Sequence, residues 1–324
     1  MTTARLVPVT VEMDGEELDA EDAWHLVRRH GLKAIAVQSF RRFRYGDGFT
    51  NSRALALQTA LAVVPFLLAV AGIAADVDDD AWSRVIGTTV NAVAPGGGSD
   101  DALARAAEGS EESGEVALVL GLGLAALTMM TAMAQVERGS NRIYGIRRDR
   151  PALWKYGRAA VFTAVLAAPV GLGLALLVAG GAFADAMTEE YGWSDGARVA
   201  FEVARWPLGL VLLVVTIATL FNHAPRRRQP ALSWLALGSG VAVVLGATAA
   251  AALALYVRLS GSFDTTYGPL AGIIALLVWS QLSAMGLFYG IAVCAQLEAI
   301  RAHDPDPALD DPGRPHHQSV SKRV

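Results

Sequence analysis

Six polar side chains are notable for where they fall. Gln58 and Thr59 sit in one long apolar run, Thr131 and Gln135 in the next, and Gln281 and Ser283 in the last. An amide in hydrocarbon is costly unless it is paired, so each glutamine is expected to face other protein groups rather than lipid. Together the six define a candidate polar cleft between the first, second and sixth runs. The competing reading is interhelical hydrogen bonding, worth about 0.6 kcal/mol per contact on average. No Asp, Glu, Lys, Arg or His lies inside any of the runs. A proton pump would need such titratable groups, and their absence there leaves a passive or lipid-handling role.

Other chemistry finds little support in the residue types. No catalytic residue, metal site or cofactor is expected. The single cysteine, Cys294, excludes an intramolecular disulfide and a cysteine-based zinc site. The histidines (His25, His30, His223, His303, His316 and His317) are scattered among segments. There is no Walker-type lysine motif, hence no visible ATP motor. Gly121-Leu122-Gly123 and Gly171-Leu172-Gly173 lie inside apolar runs, without the strand-turn-helix setting of a dinucleotide site. The basic stretch from Arg138 to Arg158 suits a topology signal and headgroup anchor, and nucleic acid is not an expected partner.

The elements that position these groups are apolar runs of membrane-spanning length. A bilayer core of about 30 Å needs about 20 apolar residues in a helix. Six runs qualify: 54–75, 116–136, 159–183, 206–221, 231–257 and 269–297, the fourth beginning at 206 or earlier, near Val199. In lipid every backbone N–H and C=O must be bonded internally, and these runs lack the alternation of membrane strands, so helices are expected. Of the 27 Lys and Arg, 22 fall in alternate connecting segments, beginning with the N-terminal one. By the positive-inside rule both ends are then cytoplasmic. The fold class is therefore all-α, a polytopic membrane protein with six transmembrane helices.

Residues 21–48 are expected to form a separate cytoplasmic, interfacial amphipathic helix. Its apolar residues interleave with Arg28, Arg29, Lys33, Arg41, Arg42 and Arg44, a pattern suited to an anionic membrane surface or to packing on the cytoplasmic ends of the bundle. Residues 1–20 read as a polar tail, 49–300 as the membrane domain and 301–324 as a disordered cytoplasmic tail. The long acidic connection at 76–115 carries Pro95-Gly96-Gly97-Gly98, and its stretch from Ala81 to Val93 could form a short helix. The pairs Gly268/Gly272 and Gly286/Gly290 permit close helix approach, within the bundle or between copies.

Several stretches resemble the YihY/BrkB family of bacterial inner-membrane proteins, whose older label is the ribonuclease BN family. They are Asn51 to Pro65, Asn141-Arg142-Ile143-Tyr144, and, in the last run, Tyr267-Gly268-Pro269-Leu270 with Trp279, Leu282-Ser283-Ala284 and Gly290. The resemblance covers roughly residues 35–300 and implies a multi-pass protein of the cytoplasmic membrane. Two departures accompany it. An aromatic pair common in the family's first span is replaced near Leu57 and Gln58. The family's Gly-Ala-Glu-Leu-Asn-Ala falls, counting from Gly290, on Gly290 to Ala295, so that the acid and the amide become Ala292 and Cys294.

The leading functional expectation is a protein that translocates or accommodates a lipid or other amphiphile, with membrane lipids as partners. The alternative is a scaffold of an envelope complex, acting as a homo-oligomer or with an envelope protein partner. A membrane-embedded enzyme or ribonuclease ranks last.

Overall fold

The computed structural model describes residues 5–12, 18–75, 80–93, 111–260 and 270–310. They form a helical protein with one two-residue β ladder. Helix α1 (Ala20–His30) starts where the Asp19 carboxylate accepts the N–H groups of Glu21 and Asp22 at 2.9 and 3.0 Å. It stops at Gly31, whose φ of 83° favours glycine. Helix α2 (Leu32–Tyr45) buries Ile35, Ser39, Arg42 and Phe43, one face of a 3.6-residue period, against the last helix.

Six long helical stretches follow. They are α3 (Gly48–Ala75), α5 (Glu111–Ile143), α6 (Ala152–Leu174), α8 (Asp195–His223), α9 (Leu232–Ser260) and α10 (Ala271–Arg301), with the shorter α4 (Asp80–Val93) between α3 and α5. A π-helical turn at Ala175–Ala179 joins α6 to α7 (Gly180–Tyr191). Four stretches, Ala152–Tyr191, Asp195–His223, Leu232–Val257 and Ala271–Arg301, are long and apolar enough to cross a membrane. The 28 residues of α3 and 33 of α5 reach about 42 and 50 Å at 1.5 Å per residue. The helix that carries the fourth apolar run begins well before Trp206, because α8 is capped by the Ser194 hydroxyl, which accepts the Ala197 N–H. Pro65 and Pro207 lie inside continuous helices.

Each long helix packs against its neighbour in sequence, and α10 closes the circuit on α3 while also touching α5. Packing is graded along this ring. Every residue of α10 from Gly290 to Ile300 is buried, whereas Leu270, Ile273, Leu277, Val278 and Leu282 at its other end are exposed. The same grading runs along α9, where Trp234, Leu235 and Ser239 are fully buried but Val244, Leu255, Tyr256 and Leu259 are exposed.

Glycine explains the tight end. A Cβ at Gly290 would lie 2.5 Å from the Gly238 carbonyl oxygen, and one at Gly286 3.2 Å from Leu245 Cβ. Gly286 and Gly290 therefore serve packing of α10 on α9 within one chain. Gly272 is half-buried near the start of α10, and Gly268 lies outside the described residues.

The two terminal segments meet each other. Arg5–Leu6 (β1) pairs antiparallel with Leu309–Asp310 (β2), and the Thr10 N–H donates to the Tyr144 carbonyl at 3.1 Å. Residues 5–12 and 302–310 thus pair with each other and with the bundle, each supplying backbone partners that neither short stretch has alone. The glycine-rich stretch 95–98 and residues 311–324 of the expected tail lie outside the described residues.

Candidate functional site

The tight end of the ring encloses a buried polar cluster. Helix α10 delivers Gln296 and Glu298, both fully buried. From α2, Arg42 donates through Nε to Gln296 Oε1 at 3.0 Å and through Nη1 to Thr10 Oγ1 at 2.7 Å. Gln296 in turn donates to the Pro305 carbonyl at 2.7 Å. Tyr144, just past α5, places its hydroxyl 3.0 Å from Glu298 Oε1 and 3.1 Å from Gln229 Oε1. Arg227, in the connection between α8 and α9, forms an ion pair with Glu298 at 2.8 Å, its side chain 3% exposed. Its guanidinium also lies over the Tyr144 ring, 4.6 Å from the centroid.

A second shelf of polar contacts ties the connection 144–151 to the connection 224–230. The Asn141 amide donates to Asp149 at 3.0 Å and accepts the Arg226 N–H at 2.7 Å. Arg150 pairs with Glu137 at 3.0 Å and donates to the carbonyls of Ala224 and Pro225. Lys155 meets Asp149 at 3.1 Å. Asn141 and Tyr144, singled out in sequence as a motif, are thus the two posts on which these connections hang.

Electrostatics follow from burial. Loss of water pushes the Arg42 guanidinium down to about 10, against the pull of nearby Tyr144 and Glu298. Burial, reinforced by the Glu298 charge, holds the Tyr144 phenol well above its usual range. At Asp149 burial works upward but is outweighed by hydrogen bonds from Asn141 and Lys155, so the carboxyl lies below its ordinary value. Arg42 Nη2 and Arg227 Nε and Nη1 are buried without hydrogen-bond partners.

The six groups of the sequence-derived cleft lie on three helices that touch one another, α3, α5 and α10. Gln135 donates to Asn51 on α3 at 2.8 Å. Thr131 bonds the Thr128 carbonyl of its own helix at 2.8 Å. Gln58, Thr59, Gln281 and Ser283 are half-buried, and Gln58 Oε1 and Ser283 Oγ are enclosed without partners. Among the basic residues assigned to the membrane surface, Arg28, Arg29, Lys33, Arg41 and Arg44 are exposed. Arg42 is not a surface residue. It is fully buried, because its place on the α2 face that also carries Ile35, Ser39 and Phe43 turns it toward Gln296.

Ala292 and Cys294 are buried among apolar groups and glycine, with Cys294 against α9. One helical turn further on, Ala295-Gln296-Leu297-Glu298-Ala299 has the same Ala-x-Leu-x-Ala spacing, and its two polar side chains fall in the buried cluster. Sequence reading left Gln296 and Glu298 outside the candidate cleft and missed Arg227 and Thr10. The signal in hand was the repeated Ala-x-Leu-x-Ala spacing. Among the described residues, no three His, Cys, Asp or Glu side chains are grouped to hold a metal.

Comparison with known proteins agrees with the membrane character. The chain is 30% identical over 181 residues to a UPF0761 membrane protein of Laribacter hongkongensis, covering 55% of this chain and 40% of that one. It is 26% identical over 262 residues to a UPF0761 membrane protein of Azoarcus sp., covering 78% and 62%. A protein of Bacillus subtilis named putative ribonuclease-like protein YfkH is 22% identical over 180 residues, 56% of this chain and 65% of that one. The aligned part is thus less than two thirds of each of these relatives. No solved structure matches. The model of the Virulence factor BrkB family matches residues 39–313, and the chain is a membrane protein belonging to that family.

Proposed function

We propose that this protein crosses the bacterial inner membrane six times, with both ends in the cytoplasm, and accommodates or translocates a lipid or other amphiphile without an ATP motor of its own. The observation that carries this reading is the graded packing of the helix ring. At one end, charged residues and glycine contacts seal the helices together. Toward the other, α9 and α10 expose apolar side chains at Val244, Leu255, Ile273 and Leu277. The sealed end holds the basic connections that the positive-inside rule assigns to the cytoplasm. A bundle closed at one face and loose toward the other offers an amphiphile apolar walls. The half-buried amides of Gln58 and Gln281, with the enclosed Ser283 hydroxyl, offer partners for its polar part. The exposed Arg28, Arg29, Lys33, Arg41 and Arg44 beside exposed Leu32, Val37 and Phe40 suit anionic headgroups.

Purified protein in liposomes containing labelled phospholipids tests the reading. Exchange between leaflets should exceed that of empty vesicles, and Gln58→Leu or Gln281→Leu should slow it in protein that still folds. Absence of exchange for several headgroups would refute translocation. It would leave the scaffold reading, which the locked cytoplasmic cluster favours.

A further inference from the structure

Helix α2 packs on one side only. Ile35, Ser39, Arg42 and Phe43 are buried toward α10, where Arg42 meets Gln296 and the Tyr289 hydroxyl donates to the Ala36 carbonyl at 3.0 Å. These contacts hold the opposite side outward. At about 100° per residue, Lys33, Val37, Phe40, Arg41 and Arg44 share an arc of about 100° there, and all five are exposed. Val37 and Phe40 are each 46% exposed. With Ala36 and Tyr45 they line a groove of about 390 Å³ whose basic members are Arg41 and Arg44. Helix α2 contains no Asp or Glu. Among the described residues no carboxylate lines the groove or pairs with Lys33, Arg41 or Arg44. Arg44 lies over the Tyr45 ring, 5.7 Å from its centroid, a contact that supplies no oxygen acceptor.

We propose that this face of α2 docks on the anionic phospholipids of the membrane surface, with a headgroup phosphate in the groove between Arg41 and Arg44 and with Val37 and Phe40 against the upper acyl chains. The charge of the face is of one sign and is not neutralised within the fold, so its partner is anionic. The apolar side chains lie among the cations, at the spacing of a helix that rests in the boundary between headgroups and hydrocarbon. A soluble anion would leave Val37 and Phe40 in water. Only Gly46 and Asp47, the latter at a φ of 57°, separate α2 from α3, the first long apolar helix. With α3 across the membrane, the face meets the bilayer before any soluble partner. Arg41 and Arg44 can keep their charged heads at the phosphates while their stems cover the apolar pair. The inference deepens the proposed function and rests on its placement of α3; it names the lipid class that meets α2 and does not require translocation.

The test places a nitroxide on Val37→Cys in full-length protein reconstituted into liposomes; the unsubstituted protein, whose Cys294 is buried, gives the background labelling. Spin-label relaxation by oxygen and by a neutral nickel chelate reports whether the label sits among lipids or in water. In vesicles of phosphatidylglycerol and phosphatidylcholine the label should be reached by oxygen and shielded from the chelate. Replacing Arg41 and Arg44 together by Gln should lower the ratio of shielded to exposed label about thirtyfold, the effect of two surface cations. Phosphatidylcholine alone should lower it at least as much. Both positions are exposed, so the variant keeps the packed side of α2. A label open to the chelate in both lipids overturns the inference and gives the face to water or a soluble partner. Equal shielding in both lipids, or shielding unchanged in the double variant, overturns the anionic headgroup site. Lipid exchange between leaflets of the same liposomes reads the proposed function separately. Exchange without shielding sinks this inference alone, and shielding without exchange supports it and counts against translocation alone.

Discussion

Replacing Glu298 by Gln tests whether the buried cluster holds the tightly packed end of the ring together. The substitution keeps shape and volume but removes the charge that Arg227 faces at 2.8 Å, where both side chains are at most 3% exposed. Arg227 then stays buried with its charge uncompensated, and Tyr144 loses an ionised acceptor at 3.0 Å. Breaking a buried pair by removing one partner costs about 3–5 kcal/mol. Removing both partners in favour of apolar groups of similar size, as in Arg227→Met with Glu298→Leu, is expected to be far milder, since no charge remains to be desolvated. Equilibrium unfolding in detergent, read by tryptophan fluorescence because Trp234 is fully buried beside this end, gives both numbers. The reasoning is refuted if Glu298→Gln costs less than about 1 kcal/mol, the range of an exposed pair, or if the double variant is as unstable as the single one.

Other outcomes follow from the same geometry. Arg42→Met should destabilise less than Glu298→Gln, because it removes a buried charge whose partners are the neutral Gln296 and Thr10; the same unfolding experiment compares them. Gly290→Ala should cost about 1–3 kcal/mol, as its methyl meets the Gly238 carbonyl. Gly123→Ala, whose methyl meets nothing within 4 Å, should stabilise by about 0.5–1 kcal/mol. Asp149 has a folded-state pKa below its ordinary 3.8, so its contribution is fully present above that value and is lost as pH falls below it. Asp149→Asn should therefore lower stability at pH 7 and flatten its decline below pH 4, as followed by unfolding midpoints across that range.

What the sequence by itself determined follows from short-range rules. Long apolar stretches in lipid must be helices, and helices occupy every run named from hydropathy where residues are described. The Ala81–Val93 helix was equally legible, whereas the single amphipathic helix expected over 21–48 is divided at Gly31 into two helices. Glycine spacing announced close approach, but only the packed structure decided that Gly290 meets Gly238 of the same chain. The candidate site was legible in type, not in place. Gln135 read as a group needing a partner, and the fold supplied Asn51, 84 positions away. Arg42 read as one of six surface cations because charge and amphipathicity are local properties. Its burial depends on Gln296, 254 residues distant, which local pattern does not encode. The pairing of Arg227 with Glu298 and the stacking of Arg227 on Tyr144 likewise unite three segments remote in sequence. Partitioning between water and lipid is a property of each segment and can be read from composition. The choice of partner for a buried charge is a property of the assembled ring, and only the tertiary structure made it.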